Sequence, residues 1–122
     1  MVGRVIYMKT VLFIEDDESI CKLYEAELSD KYRVIVIRDG NKAMETLERE
    51  SPDLVVLDIM LPGVDGVTLL ERIKRWNKDL PVIVSTAYGA YRDSTTVWSA
   101  DERIIKSSDL TELKQKIAQY LD

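Results

Sequence analysis

Asp16, Asp17 and Asp58 each stand where a short apolar run stops, and Lys106 ends another such run. Brought together, three carboxylates and one ammonium could hold a divalent cation and receive a phosphoryl group. Asp16 and Asp17 belong to the acidic run Glu15–Glu18, whose side chains repel one another and any phosphate unless a cation sits among them. Mg2+ takes oxygen ligands in an octahedron, keeps several waters and typically uses one or two carboxylates beside a phosphate oxygen. Asp58 would complete such a set, and a carboxylate so placed can attack phosphorus to give an aspartyl-phosphate. The equatorial oxygens of that transition state must be neutralised. Lys106 suits this as a compact point charge, and the hydroxyl of Thr86, at the end of a further run, could donate to a phosphoryl oxygen. Each residue alone has a plainer reading: an acidic loop at a helix N-terminus, an ordinary strand threonine, an exposed strand-end lysine. Their shared position at strand ends favours chemistry.

The elements that must position them can be read from the same runs. Val11–Ile14, Leu54–Leu57 and Ile104–Ile105 are short and mostly β-branched, as in strands buried on both faces of a parallel sheet. Strands are expected at Thr10–Glu15, Arg33–Ile37, Asp53–Asp58, Pro81–Thr86 and Arg103–Lys106. Between them, helical stripes run through Ile20, Leu23, Tyr24 and Leu28, through Ala43, Met44 and Leu47, and through Val67, Leu70 and Ile73. Leu110, Leu113, Ile117 and Leu121 form a last stripe, opened by the capping pair Asp109 and Glu112. Ala90–Ala100 is rich in serine and threonine, and a short or irregular helix is expected there. Such alternation predicts right-handed βαβ units with helices on both faces. In open sheets of this kind, chemistry collects outside the carboxyl ends of the strands.

A chain of 122 residues with 46% apolar and 32% charged residues fits one globular domain. Its net charge of −5 argues against direct nucleic-acid binding, which rests on neutralised phosphates. No histidine is present, which removes imidazole catalysis and leaves metals that prefer oxygen. The one cysteine, Cys21, fits a reducing compartment and a packed thiol. No apolar stretch reaches the length of a membrane span, so a cytoplasmic location is expected. Residues 1–7 read as an extension or a mis-assigned start, because Met8 opens a clean Met-Lys-Thr-Val-Leu beginning; the domain itself is expected over 8–122.

The chain resembles the receiver domain of bacterial two-component response regulators from Met8 to Asp122. The resemblance is carried by Val11-Leu12-Phe13-Ile14-Glu15-Asp16-Asp17, Pro52-Asp53-Leu54-Val55-Val56-Leu57-Asp58, Leu61-Pro62-Gly63-Val64-Asp65-Gly66, Pro81-Val82-Ile83-Val84-Ser85-Thr86-Ala87 and Lys106. It implies a flavodoxin-like, doubly wound five-stranded parallel sheet of order 2-1-3-4-5, with helices on both faces. It further implies Asp58 as phosphoacceptor, with Mg2+ (or Mn2+) held by Asp16, Asp17, Asp58 and the Met60 carbonyl. Thr86, the main chain of Ala87 and Lys106 would contact the phosphate. Met60 and Tyr88 stand where the family sets phosphoryl lifetime. The implied partners are a sensor histidine kinase or histidine phosphotransfer protein and a downstream protein, the chain being a monomer or a phosphorylation-dependent dimer.

The chain departs from the family in three places, one being a stretch from Thr86 to Lys106 slightly shorter than the family pattern. Ser107 follows the lysine where proline is usual, and Arg103 stands where an aromatic switch residue is usual; Arg103 becomes a candidate contact on the output face. A stand-alone regulator is expected, the other reading being the receiver portion of a longer regulator. A phosphatase of the haloacid dehalogenase type is disfavoured, since it needs an acid where Met60 stands. A flavin or nucleotide carrier is disfavoured as well, since its first loop should be rich in Gly, Ser and Thr.

Overall fold

Successive residues of a strand point to opposite faces of a sheet, and here both sets are apolar, so the sheet must be covered twice. The computed structural model describes residues 7–87 and 100–122. Five strands, β1 (Thr10–Ile14), β2 (Arg33–Ile37), β3 (Leu54–Asp58), β4 (Val82–Thr86) and β5 (Glu102–Ile105), pair in parallel in the order β2-β1-β3-β4-β5. Among the described residues the helices are α1 (Glu18–Leu28), α2 (Ala43–Glu50, entered through the 3-10 turn Gly40–Lys42), α3 (Gly66–Trp76) and α4 (Thr111–Leu121). The expected sheet order is therefore observed. Each expected strand is found within one residue at either end. Segment 88–99 lies outside the described residues; it holds Tyr88 and all but Ala100 of the expected weak helix.

The two faces of the sheet build two cores. Leu12, Ile14, Val55, Leu57, Val82 and Val84 pack with Leu47 of α2 and Leu69, Leu70 and Ile73 of α3. Val11, Phe13, Leu54, Val56, Ile83 and Ile104 pack with Tyr24 and Leu28 of α1 and Leu113 and Ile117 of α4. Phe13 stacks on Tyr24 with centroids 4.3 Å apart, an aromatic contact that adds to simple burial. The stripes read from the sequence are the faces that close these cores.

Caps set where the helices begin, and hence the loops that carry the chemistry. Asp17 caps α1, its carboxylate accepting the Ile20 N–H at 3.1 Å. Asp65 caps α3 by accepting from Val67 N at 3.0 Å. Ahead of α4, Asp109 accepts from both the backbone N–H and the hydroxyl of Thr111, so this side chain acts two residues before the helix proper, whose cap residue Leu110 makes no side-chain cap bond.

Candidate functional site

Every strand of the sheet runs the same way, so the residues just after β1, β3 and β5 share one edge. Glu15 follows β1, Asp58 closes β3 and Lys106 follows β5. Lys106 Nζ lies 2.8 Å from Glu15 Oε1 and 3.0 Å from Asp58 Oδ2. Glu15 and Asp58 are almost fully buried, at 2% and 3% exposure. The second oxygen of Glu15 accepts the Asp17 N–H at 3.0 Å, and the second oxygen of Asp58 accepts the Met60 N–H at 2.9 Å. One ammonium thus joins two carboxylates whose remaining oxygens are steadied by backbone donors.

Burial pushes the Glu15 carboxyl above its ordinary value, against the pull of Lys106. Burial also works against the charge on Lys106, but the hydrogen bonds from its ammonium to Glu15 and Asp58 outweigh it and hold the lysine pKa above the usual range. The Cys21 thiol, buried and facing the negative field of Glu15, is pushed up to about 11. Its sulfur donates to the Glu15 carbonyl at 3.2 Å. It is a packed thiol, as the sequence reading expects.

Among the described residues, one group of carboxylates could share a cation: Glu15, Asp16 and Asp58, whose ligand oxygens lie within 4.8 Å of one another. The partner of Asp16 in this group is Glu15 and not Asp17, whose side chain is turned to the end of α1. The sequence expectation set Asp17 beside Asp16 and Asp58; in the structure it is Glu15 that lies with them. β1 stops at Ile14, so Glu15 is the first residue of the loop, and aspartate is a far better cap than glutamate. An all-oxygen donor set of net negative charge suits Mg2+ or Mn2+, and so fits the cofactor expected from the sequence.

The other expected residues fall around this centre. Met60 is 55% exposed beside Asp58. Thr86 closes β4 half-buried; its hydroxyl donates to the Ala87 carbonyl at 3.3 Å, and its own carbonyl accepts the Lys106 N–H at 2.7 Å. Arg103 is half-buried on the edge strand β5, in register with Val84. The Lys106–Ser107 bond is trans, there being no cis peptide among the described residues. Sequence reasoning missed Arg38, whose guanidinium donates twice to the Asp16 carbonyl, at 3.0 and 3.2 Å. The only available signal was its place just past β2, at the same sheet edge.

Exchanging Asp16 and Asp17 in turn should separate ligand from cap. Asp17→Ala is expected to cost about 1 kcal/mol of stability, the usual worth of a cap, with little change in Mg2+ affinity. Asp16→Ala should do the reverse. Chemical denaturation alongside Mg2+ titration would check this, and equal losses of metal affinity in both would restore Asp17 to the metal site.

Comparison with known proteins gives this arrangement a context. The family model of the response regulator receiver domain matches residues 11–118. The probable transcriptional regulator ycf27 of Guillardia theta is 36% identical over 114 residues, which cover 91% of this chain and 44% of that protein. The chain spans about half the length, or less, of such curated relatives. The response regulator protein TrrA of Thermotoga maritima, solved with Mg2+ and BeF, superposes with a TM-score of 0.87 at 35% identity, over 93% of this chain and 100% of that one. TrrA solved in complex with the histidine kinase ThkA gives 0.85 at 34% identity, over 94% and 100%.

Proposed function

The chain belongs to the response regulator receiver family, and on that premise we propose that it is charged on Asp58 by a histidine kinase or histidine phosphotransfer protein and thereby switches its hold on a downstream protein. The family is one of signalling domains, not of classical enzymes. The observation that carries the reading is Lys106 at 3.0 Å from a buried Asp58, with Glu15 and Asp16 alongside.

In the proposed step a carboxylate oxygen of Asp58 attacks the phosphorus of a phosphohistidine. The new P–O bond forms as the P–N bond breaks, and the imidazole nitrogen leaves with the electron pair. Asp16, Asp58 and the Met60 carbonyl, with Glu15 beside them, would hold Mg2+ or Mn2+, which when bound offsets charge on the phosphoryl oxygens. Lys106 adds a second positive charge, and it is already in place before the phosphoryl group arrives, so little reorganisation is needed. The Thr86 hydroxyl and the main-chain N–H of Ala87 are assigned to the remaining phosphoryl oxygens. Thr86 and Lys106 are joined through backbone, so a movement of one reaches β5 and Arg103. Arg103 is assigned to the output face, where its charge would meet an acidic patch of the partner.

A solved complex of the similar TrrA with a histidine kinase supports the choice of donor. A module acting by itself remains the reading proposed from the sequence. The names of the curated relatives, which are transcriptional regulators about two to two and a half times this length, support the receiver portion of a longer regulator instead. Both readings share the Asp58 chemistry. A panel of histidine kinases carrying labelled phosphohistidine tests it: label should pass to the chain from one of them in Mg2+ and from none in EDTA. Label reaching Asp58→Asn equally well would exclude Asp58 as acceptor.

Phosphoryl lifetime gives a further prediction. Met60 stands exposed beside Asp58 with an apolar side chain, which cannot orient an attacking water. Met60→Asn supplies an amide and should shorten the lifetime of the phosphorylated protein about tenfold, a modest share of what positioning can give. Intact-mass time courses would follow it, and unchanged decay would show that Met60 does not shield the phosphoryl group.

A further inference from the structure

Arg38 is the first residue beyond β2, level with Glu15 because Ile14 and Ile37 are partners in the parallel pair β1–β2. The two strand ends are tied by the Glu15 N–H, which donates to the Ile37 carbonyl at 3.0 Å. From there the exposed Arg38 side chain crosses to the loop after β1. Its Nε and Nη2 donate to the Asp16 carbonyl at 3.2 and 3.0 Å. A guanidinium is a planar, rigid fork of donors, so two bonds to one oxygen fix the direction of that carbonyl as well as its distance. The same carbonyl belongs to the peptide that joins Asp16 to Asp17.

The other polar group of that peptide is held too. The Asp17 N–H donates to the Glu15 carboxylate at 3.0 Å, so the unit is clamped from both sides, its carbonyl by Arg38 and its N–H by Glu15. The Asp16 side chain stands immediately before this peptide and takes its direction from it. It is half-buried, with its carboxylate in the group whose oxygens lie within 4.8 Å of one another. Carboxylates gathered this closely repel one another, and an untethered Asp16 would turn out toward water. Arg38 opposes that without neutralising any of the three, since its partner is a carbonyl and not a carboxylate.

Resting on the proposed reading of Asp16 as a ligand of Mg2+ or Mn2+, we propose that Arg38 is a positioning residue for that ligand, acting through the Asp16–Asp17 peptide. Charge and position here pull in opposite directions. The guanidinium charge reaches this neighbourhood: the Cys21 thiol is pushed up chiefly by burial, and Arg38 works against that push. A nearby cation repels a divalent metal ion. By charge alone, losing Arg38 would therefore tighten metal binding, by up to about fivefold at low ionic strength and by almost nothing in about 0.5 M salt. Losing the tether weakens it by about tenfold, the low end of what removing an outer partner of a metal ligand costs. At high salt the tether alone is read.

Mn2+ binding tests this, with the free ion counted by electron paramagnetic resonance in about 0.5 M KCl, where surface charges are screened. Arg38→Met keeps an unbranched stem without donors or charge, and should bind Mn2+ about tenfold more weakly than the parent protein. Arg38→Lys keeps the charge but has no fork to fix the carbonyl, and should stay at least about threefold weaker than the parent. Circular dichroism of the same samples establishes that the variants are folded, so a contact that merely stabilised the fold would leave these affinities unchanged. Equal or tighter Mn2+ binding by folded Arg38→Met, or parent-like binding by Arg38→Lys, overturns the role of Arg38 while the metal site stands. A parent protein that binds no Mn2+ overturns the metal reading itself, and this role with it.

Discussion

Lys106→Ala is expected to lose about 3 kcal/mol of folding stability in EDTA, because breaking a buried pair leaves an uncompensated charge behind. Lys106 is the cation that touches both Glu15 and Asp58 in this structure, and both carboxylates are nearly sealed from water. Without it they face each other as like charges in a poorly hydrated site. Two consequences distinguish this from simple loss of packing. First, Glu15 already has a raised pKa, and removing Lys106 raises it further. A carboxyl whose folded pKa exceeds its unfolded value favours the folded state at low pH, and that benefit is lost as pH rises through the folded value. The deficit of the variant should therefore shrink on acidification, in a window above the ordinary glutamate pKa. Second, Mg2+ should restore more stability to the variant than to the parent protein, where Lys106 competes for the same oxygens; a hundredfold excess over Kd contributes about 2.7 kcal/mol. Urea denaturation across pH, with and without Mg2+, checks both. A deficit independent of pH and of Mg2+ would mean that Lys106 acts through its hydrocarbon stem alone.

Gly66→Ala should likewise be strongly destabilising, against the usual gain of about 1 kcal/mol for replacing glycine in a helix. Gly66 opens α3, and a Cβ there would lie 2.2 Å from the Ile59 carbonyl oxygen and 2.7 Å from its carbonyl carbon and Cα. Those atoms are backbone and cannot rotate away. Relief requires α3 to lift or the chain at Ile59 to move, and the next residue, Met60, donates its N–H to Asp58. Overpacking of this kind costs about 3 kcal/mol, at the upper end of its usual range, and here it should also slow phosphorylation. Denaturation midpoints and the rate of phosphate uptake would report the two effects. A midpoint equal to or above that of the parent would show that the loop after β3 is far softer than its packing suggests.

The sheet was legible because Leu12 and Ile14 feed one core while Val11 and Phe13 feed the other, a pattern that leaves little choice of architecture. Asp58 and Lys106 were legible for the same reason: each ends an apolar run, and parallel strands bring such ends together. The acids that lie beside Asp58 are Glu15 and Asp16, where the sequence reading placed Asp16 and Asp17. Drawing β1 through Glu15 hid the fact that Glu15 is buried under Lys106 while Asp17 is spent on the Ile20 N–H. The caps hold the missing information, since Asp17 and Asp65 mark where α1 and α3 begin and so which neighbours are left for chemistry. Arg38 had no signal beyond its place just past β2; a cavity between Ser85 and the start of α4 had none. Both arise from loops meeting across the sheet edge, which depends on tertiary distances that residue spacing does not encode.

Intact-mass spectrometry after incubation with acetyl phosphate and Mg2+ tests the central claim most directly. One phosphate adduct should form on the parent protein, be removed by hydroxylamine as an acyl phosphate must be, and vanish in EDTA and in Asp58→Asn. An adduct of the same yield on Asp58→Asn, or one indifferent to the removal of divalent cation, would contradict it.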